Sequence, residues 1–250
     1  MLLLRCLYGL KQAPRGWNQH IDDVRKEMGF HLLESDFGLY ILGEGSEALY
    51  LALYVDNMFL LCIEIKKNYG VKTGLGETYN IKDLGEVKFL LGLEIRRQQN
   101  GDIFLCQEKY GKKLLDKFGM RECNSVSTPL KIGVKFSENM GEVAEGAAIE
   151  GVGYKSAMDS LLYLCSGTRP HLAPVVISLC RYSQNPGEHH WEGVKRVLIY
   201  LQGIVTLGLM YKGGADLPVA GYSDASHGDD FDTRRGRARY VFMSGGAAVS

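Results

Sequence analysis

The chain has 250 residues, 46% of them hydrophobic, which is enough for one large core or two modest ones. Lys and Arg together number 29 and so do Asp and Glu, so no whole-chain field draws the protein to nucleic acid or to a membrane, and an anionic partner must be held by local basic clusters. The six cysteines are scattered without a CxxC pair, which argues against a zinc site and for reduced, mostly buried thiols, and the apolar run Met1 to Leu4 ends at Arg5, too short for a signal peptide or a membrane span. With no targeting segment, cytoplasm or nucleus is the default location.

In chain order, "APRGWNQHIDDVRKEMGF" predicts an amphipathic helix that starts at Pro14, aligns Trp17, Ile21, Val24 and Met28 on one face, and stops at Gly29. The next signal is "LYVDNMFL", Leu53 to Leu60, where Asp56 and Asn57 interrupt an apolar run. Its β-favouring flanks predict strands at about 47 to 55 and 58 to 63 joined at Asp56-Asn57. Two explanations stand for the dipeptide: it is simply a good turn, or the carboxylate is presented to a metal ion. A helix follows at about 64 to 77, weakened by Gly70, Gly74 and Gly76. "VKFLLGLEIRRQQNGDIFLCQ" reads as a second hairpin turning at Asn100-Gly101. Then comes a helix at about 108 to 118, with Tyr110, Leu114 and Phe118 inward and Lys112, Lys113 and Lys117 outward as a solvated face.

From Lys131 to Gly151 the chain turns Gly-, Glu- and Ala-rich without periodicity, which marks a connector and a boundary. Helical patterns follow at about 154 to 165, 170 to 183 and 188 to 203. His189 and His190 open the third; adjacent on a helix they point about 100° apart, so they read as helix-start residues rather than paired metal ligands. Short strands at "LGLMY", "VAGYSDA" and "RYVFMSG" complete the pattern.

The blocks "LYGLKQAPRGW", "YVDNM", "KDLGEVKFLLGLEI", "VSTPL", "SLLYLCSGTRP" and "NPGEHHWEGVKRVLIYLQG", followed by "GYSDAS", stand in the order seen in copia-type retrotransposon Pol polyproteins. The chain resembles the reverse transcriptase region of that family running into ribonuclease H. In such enzymes the hairpin tip is Tyr-x-Asp-Asp, and its carboxylates join a third around two magnesium ions that clamp an in-line phosphoryl displacement. The resemblance assigns Asp56 to the first aspartate, with Asn57 in place of the second, so one negative charge is gone from a site that must hold two dications. It assigns Lys11 and Arg15 to triphosphate or template phosphates, or to plain solvation. It assigns Asp224 to the first metal-binding aspartate of ribonuclease H, and leaves Asp229, Asp230 and Asp232 in a loop where solvation is the default. Arg234, Arg235, Arg237 and Arg239 could touch a nucleic-acid backbone or be merely exposed.

The expected fold is α+β: a partial polymerase palm of antiparallel strands and helices with the start of a helical thumb over 1–130, a flexible connector at 131–151, a helical connection region over 152–212, and a truncated ribonuclease H-like sheet over 213–250. The fingers and their catalytic aspartate are expected upstream of "LYGLKQAPR", where the chain has almost no sequence, and the later ribonuclease H acids beyond its last residue. The resemblance therefore implies a reverse transcriptase remnant, inactive alone, with RNA/DNA template-primer as a weak partner, other Pol chains as possible associates and no membrane. Two alternatives stay open: a non-catalytic module that binds nucleic acid or a polymerase chain, and an active enzyme once flanking sequence is supplied.

Overall fold

The computed structural model describes residues 9–55, 57–62, 65–79, 81–138, 153–214, 218–228 and 230–249. Helices and antiparallel sheets alternate, an α+β fold as expected, and the chain divides into two compact units, Met1–Val87 and Lys88–Ser250. Residues 139–151 of the connector expected from composition lie outside the described residues.

In the first unit, α1 (Ala13–Glu27) has Pro14 in its opening turn, where a missing N–H costs nothing. It ends as the sequence anticipates at Gly29, φ 84°, with Gly29 N–H on the Lys26 carbonyl at 2.9 Å and Phe30 N–H on the Arg25 carbonyl at 2.9 Å, a Schellman closure. An antiparallel meander follows in the order β1 (His31–Leu33), β2 (Asp36–Leu42), β3 (Leu49–Tyr54) and β4 (Asn57–Cys62). The first two strands have no clear sequence signal, because Asp36 and Gly38 are poor strand formers; pairing of Tyr40 with Leu51 and Ile41 with Tyr50 overrides that local preference. Helix α2 (Ile65–Thr78) brings Val71 and Leu75 onto Phe30, Tyr40, Leu49 and Leu51 to make the core. Gly74 packs closely there: a Cβ would stand 3.0 Å from Met28 Cε, the end of a flexible side chain.

The second unit holds a four-stranded antiparallel sheet, β5 (Phe89–Leu90), β6 (Leu93–Arg97), β7 (Ile103–Cys106) and β8 (Gly208–Tyr211). The Asn100-Gly101 turn joins β6 and β7 as expected, with Gly101 at φ 88°. Strand β8, the short strand expected at "LGLMY", pairs with β7 (Ile103 with Tyr211, Leu105 with Leu209), which ties residues more than a hundred positions apart into one unit. Helices α3 (Glu108–Lys117), α4 (Tyr154–Gly167), α5 (Ala173–Cys180) and α6 (Glu188–Gly203) enclose a core of Leu115, Leu161, Leu164, Leu179, Val197 and Leu201. Arg169 is buried within this unit: it donates to the Ile204 and Val205 carbonyls at 3.1 and 3.0 Å and to Thr168 Oγ1 at 2.7 Å, so a cation closes the C-terminus of α6. A three-stranded sheet completes the unit in the order β11 (Ala247–Ala248), β10 (Ala238–Ser244) and β9 (Ala220–Ala225).

Candidate functional site

The hairpin between β3 and β4 is in register through Leu51–Leu60, Ala52–Phe59, Leu53–Met58 and Tyr54–Asn57. The turn therefore falls one residue earlier than its composition suggests: Asn57 opens β4 and Val55, not Asn57, begins the reversal. Apolar cross-strand pairs set this register against the turn preference of Asp-Asn. The consequence is Val55 at φ 52°, a left-handed conformation that costs an L-residue roughly 1–2 kcal/mol and is rarest for β-branched side chains. Asp56, the first aspartate assigned by resemblance, lies outside the described residues.

The tip is held from α1. Trp17 donates its indole N–H to the Val55 carbonyl at 3.3 Å, and its ring meets Tyr79 edge-on at 5.6 Å. Tyr79 in turn donates its hydroxyl to the His20 carbonyl at 3.4 Å. Lys11, just ahead of α1, and Arg15, in its first turn, are both exposed, and no acidic residue occupies that turn. Their charges add to the positive end of the helix dipole, an arrangement that favours an anion. Asn57 is also exposed, so the amide that replaces a carboxylate faces solvent at the start of β4.

One residue of α1 has no signal in the sequence. Arg25 sits on the apolar face beside Val24, fully buried, its guanidinium 3.5 Å over the Tyr40 ring and its Nε donating to the Ile21 carbonyl at 2.9 Å. Burial lowers its pKa, while Tyr40 and Asp22 oppose the shift.

In the second unit, Asp224 lies exposed on β9, opposite Arg239 of β10. In the loop that follows, Asp230 and Asp232 are both engaged by other parts of the unit. Asp230 is only 6% exposed and pairs with Arg181, while accepting the N–H groups of Asp232 and Thr233 at 3.0 and 2.9 Å. The Thr233 N–H, Arg181 and the Asp232 N–H hold its pKa down at about 2. Asp232 accepts the Tyr182 hydroxyl at 3.2 Å and the Glu138 N–H at 3.1 Å. These carboxylates fasten the chain after β9 to the helices; Asp229 lies outside the described residues. Periodicity could not reveal this, since Arg181, Tyr182 and Glu138 are distant in sequence.

The two histidines divide as helix-start residues. His189 is exposed beside Glu192, whereas His190 is buried and accepts the Gly187 N–H on Nδ1 at 2.9 Å, capping α6. Its Nε2–H then donates to the Ser137 carbonyl at 3.1 Å, and its ring stacks on Tyr182 with centroids 4.0 Å apart. Of the arginines beyond Phe231, Arg234 lies over that ring at 5.4 Å, while Arg237 and Arg239 line a cavity with the chain before Ser137.

Magnesium demands clustered hard anionic oxygens. Among the described residues, which do not include Asp56, no three Asp, Glu, His or Cys side chains come together, and the Asn57 amide contributes no charge. Among them, too, no helix is long and apolar enough to cross a membrane.

A family model described as reverse transcriptase (RNA-dependent DNA polymerase) matches residues 1–132. The retrovirus-related Pol polyprotein from transposon TNT 1-94 of Nicotiana tabacum is 36% identical over 99% of this chain, which spans 19% of that relative. The putative transposon Ty5-1 protein of Saccharomyces cerevisiae is 34% identical over 98% of this chain and 78% of its own length. The retrovirus-related Pol polyprotein from transposon RE2 of Arabidopsis thaliana is 30% identical over 99% of the chain and 17% of its own length. No solved structure matches.

Proposed function

Since the chain belongs to the reverse transcriptase (RNA-dependent DNA polymerase) family of transposon Pol polyproteins, we propose that it carries the polymerase hairpin in a form that holds template-primer without extending it. The observation that carries this reading is Val55 in a left-handed turn buttressed by Trp17. A turn with no other task has no use for a β-branched residue at such a φ, because Gly or Asn occupies it without strain; strain of this kind collects at functional sites. Trp17 belongs to the same short block as Lys11 and Arg15, so the element that fixes the tip also presents the cations for phosphate.

In this reading Asp56 is the retained polymerase carboxylate and Asn57 the lost one, and primer extension is absent because the charge that balances two divalent cations is incomplete. The polymerase part runs to about residue 130, and residues 213–250 form a ribonuclease H-like start with Asp224 as its first aspartate. A second reading, association with another Pol chain, draws on the exposure of Tyr222, Tyr240 and Phe242 on β9 and β10.

The test pairs binding with chemistry. Anisotropy of a labelled primer–template is expected to report salt-sensitive binding that weakens about tenfold in Lys11→Ala/Arg15→Ala, with no extension in magnesium or manganese. Template-directed synthesis that vanishes in Asp56→Ala would overturn the inactivity, and binding indifferent to the double substitution would overturn the role of α1.

A further inference from the structure

The turn between β6 and β7 holds a reactive pair that the proposed function does not use. Among the asparagines of the chain, Asn100 alone is followed by glycine. A carboxamide in that position faces a backbone nitrogen that no Cβ shields. Gln98 N–H donates to the Asp102 carbonyl at 2.8 Å and Gly101 N–H to the Gln98 carbonyl at 3.1 Å, with Gly101 at φ 88° forming the left-handed corner of the reversal. Gln99, Asn100 and Gly101 are all exposed, so water and hydroxide reach them.

Asp102 grips the Asn100 carboxamide at both ends. Its N–H donates to Asn100 Oδ1 at 3.1 Å, and its Oδ2 accepts the Asn100 Nδ2–H at 2.9 Å. These bonds reach across Gly101, so they fold the amide carbon back towards the Gly101 nitrogen. The N–H on Oδ1 also stands where negative charge develops when a nitrogen adds to that carbon. Other asparagines lack this combination: Asn57 opens β4 ahead of Met58, Asn68 lies within α2 ahead of Tyr69, and Asn124 precedes Ser125, the smallest of these rival neighbours.

The same turn is docked on the chain that leaves β8. Asp102 Oδ1 accepts the Gly213 N–H at 2.9 Å, and a Cβ on Gly213 would collide with the Gly101 carbonyl. The two backbones therefore meet without side chains between them, next to the pair of Ile103 and Tyr211 at the end of the β7–β8 ladder. One aspartate thus serves both contacts: it orients the Asn100 amide through one oxygen and holds Gly213 through the other.

We propose that Asn100-Gly101 is a modification site, at which the folded chain closes a succinimide, converts Asn100 to aspartate or isoaspartate, and so releases Gly213 from the β6–β7 turn. The Gly101 nitrogen gives its proton to hydroxide and bonds to Asn100 Cγ; the Cγ–Nδ2 bond breaks and ammonia leaves with a proton from water. Water then opens the imide at one carbonyl or the other, with no oxidation or reduction. Either product replaces the Nδ2–H donor to Asp102 by a second carboxylate, and like charges in contact repel. Isoaspartate further adds a methylene to the backbone where Gly101 fits against Gly213. Asp102 then gives up the Gly213 N–H, and the β-linked residue is left in an exposed turn as a substrate for an isoaspartyl-directed methyltransferase.

The experiment ages the full chain in mildly alkaline buffer, with circular dichroism establishing that it stays folded. Peptide mapping by mass spectrometry, together with labelling by isoaspartyl methyltransferase and its methyl donor, reads each asparagine. Asn100 is expected to convert about tenfold faster than Asn124, because its amide is held against the attacking nitrogen. Methyl label is expected at residue 100 and is lost in Asn100→Gln, whose longer side chain cannot close the five-membered ring; Asn100→Ser, which keeps an acceptor for the Asp102 N–H, serves if the glutamine variant does not fold. Hydrogen exchange of the Gly213 amide should quicken in the aged chain and in Asn100→Asp, relative to fresh wild type. An Asn100 that stays intact in the folded chain, or converts no faster than Asn124, would overturn the site, and wild-type exchange at Gly213 in the converted chain would overturn the release.

Discussion

Trp17 and Val55 lie 38 positions apart and are joined by one hydrogen bond, from the indole N–H of α1 to the carbonyl at the tip of the β3–β4 hairpin. The donor is held by Tyr79 at the far end of α2, so three elements converge on a residue with strained backbone.

Relieving that strain should stabilise the fold. Val55 is 62% exposed, so little apolar burial is lost in Val55→Asn, and Asn accepts the left-handed region readily. The substitution is expected to raise unfolding free energy by about 1 kcal/mol, measured by urea denaturation. A loss of stability would mean that the tip does not adopt this turn.

Removing the clamp should cost a similar amount. Trp17→Phe keeps an aromatic ring against Tyr79 but deletes the donor to Val55, and is expected to destabilise by about 1 kcal/mol. Hydrogen exchange of the Asn57 and Met58 amides should quicken in the same variant, because the hairpin tip loses its anchor.

Arg169 should prove far less replaceable than a surface cation. Its guanidinium satisfies the Ile204 and Val205 carbonyls from a site only 1% exposed, and Arg169→Met leaves those acceptors without their donor. A loss of about 3 kcal/mol is expected by chemical denaturation.

Two groups make the second unit lose stability as pH falls, in different pH ranges. Burial lowers the pKa of His190 below the ordinary histidine value near 6.5, so its contribution is complete above that pH and declines as pH falls towards the folded value, where the unfolded chain binds the proton first. The Gly187 N–H on Nδ1, the Ser137 carbonyl, His189 and Asp232 are polar and charged groups that act on it. The thermal midpoint is expected to fall between pH 7.5 and 5.5, and His190→Gln should flatten that drop.

Asp230 acts lower. Its folded pKa of about 2 lies under the ordinary aspartate value of 3.8, so its contribution is complete above pH 4 and disappears between about 4 and 2. Asp230→Asn should remove that limb of the acid-denaturation curve while leaving the histidine limb unchanged.

Much of the architecture was legible one element at a time. Pro14 and Gly29 bracket α1, Asn100-Gly101 reverses β6 into β7, and the apolar period places all four helices of the second unit, because these signals depend on neighbours within one or two turns. The ordered motifs likewise pointed to the family, and Lys11, Arg15, Asp56, Asn57 and Asp224 were candidates through that resemblance. Other features depend on partners distant in the chain. The meander partner makes strands of residues 31–42 despite Asp36 and Gly38. The pairing of β7 with β8 joins Ile103 to Tyr211 across more than a hundred residues of chain. The position of the hairpin turn, and hence the strain at Val55, was settled by cross-strand packing and by Trp17 rather than by the turn preference of Asp-Asn. Asp230 looked solvated until Arg181 was brought to it, and the burial of Arg25 under the Tyr40 ring had no counterpart in the sequence pattern. Local signals set which elements form; burial and long-range pairing decide which charges those elements leave exposed, and so where a phosphate could be held.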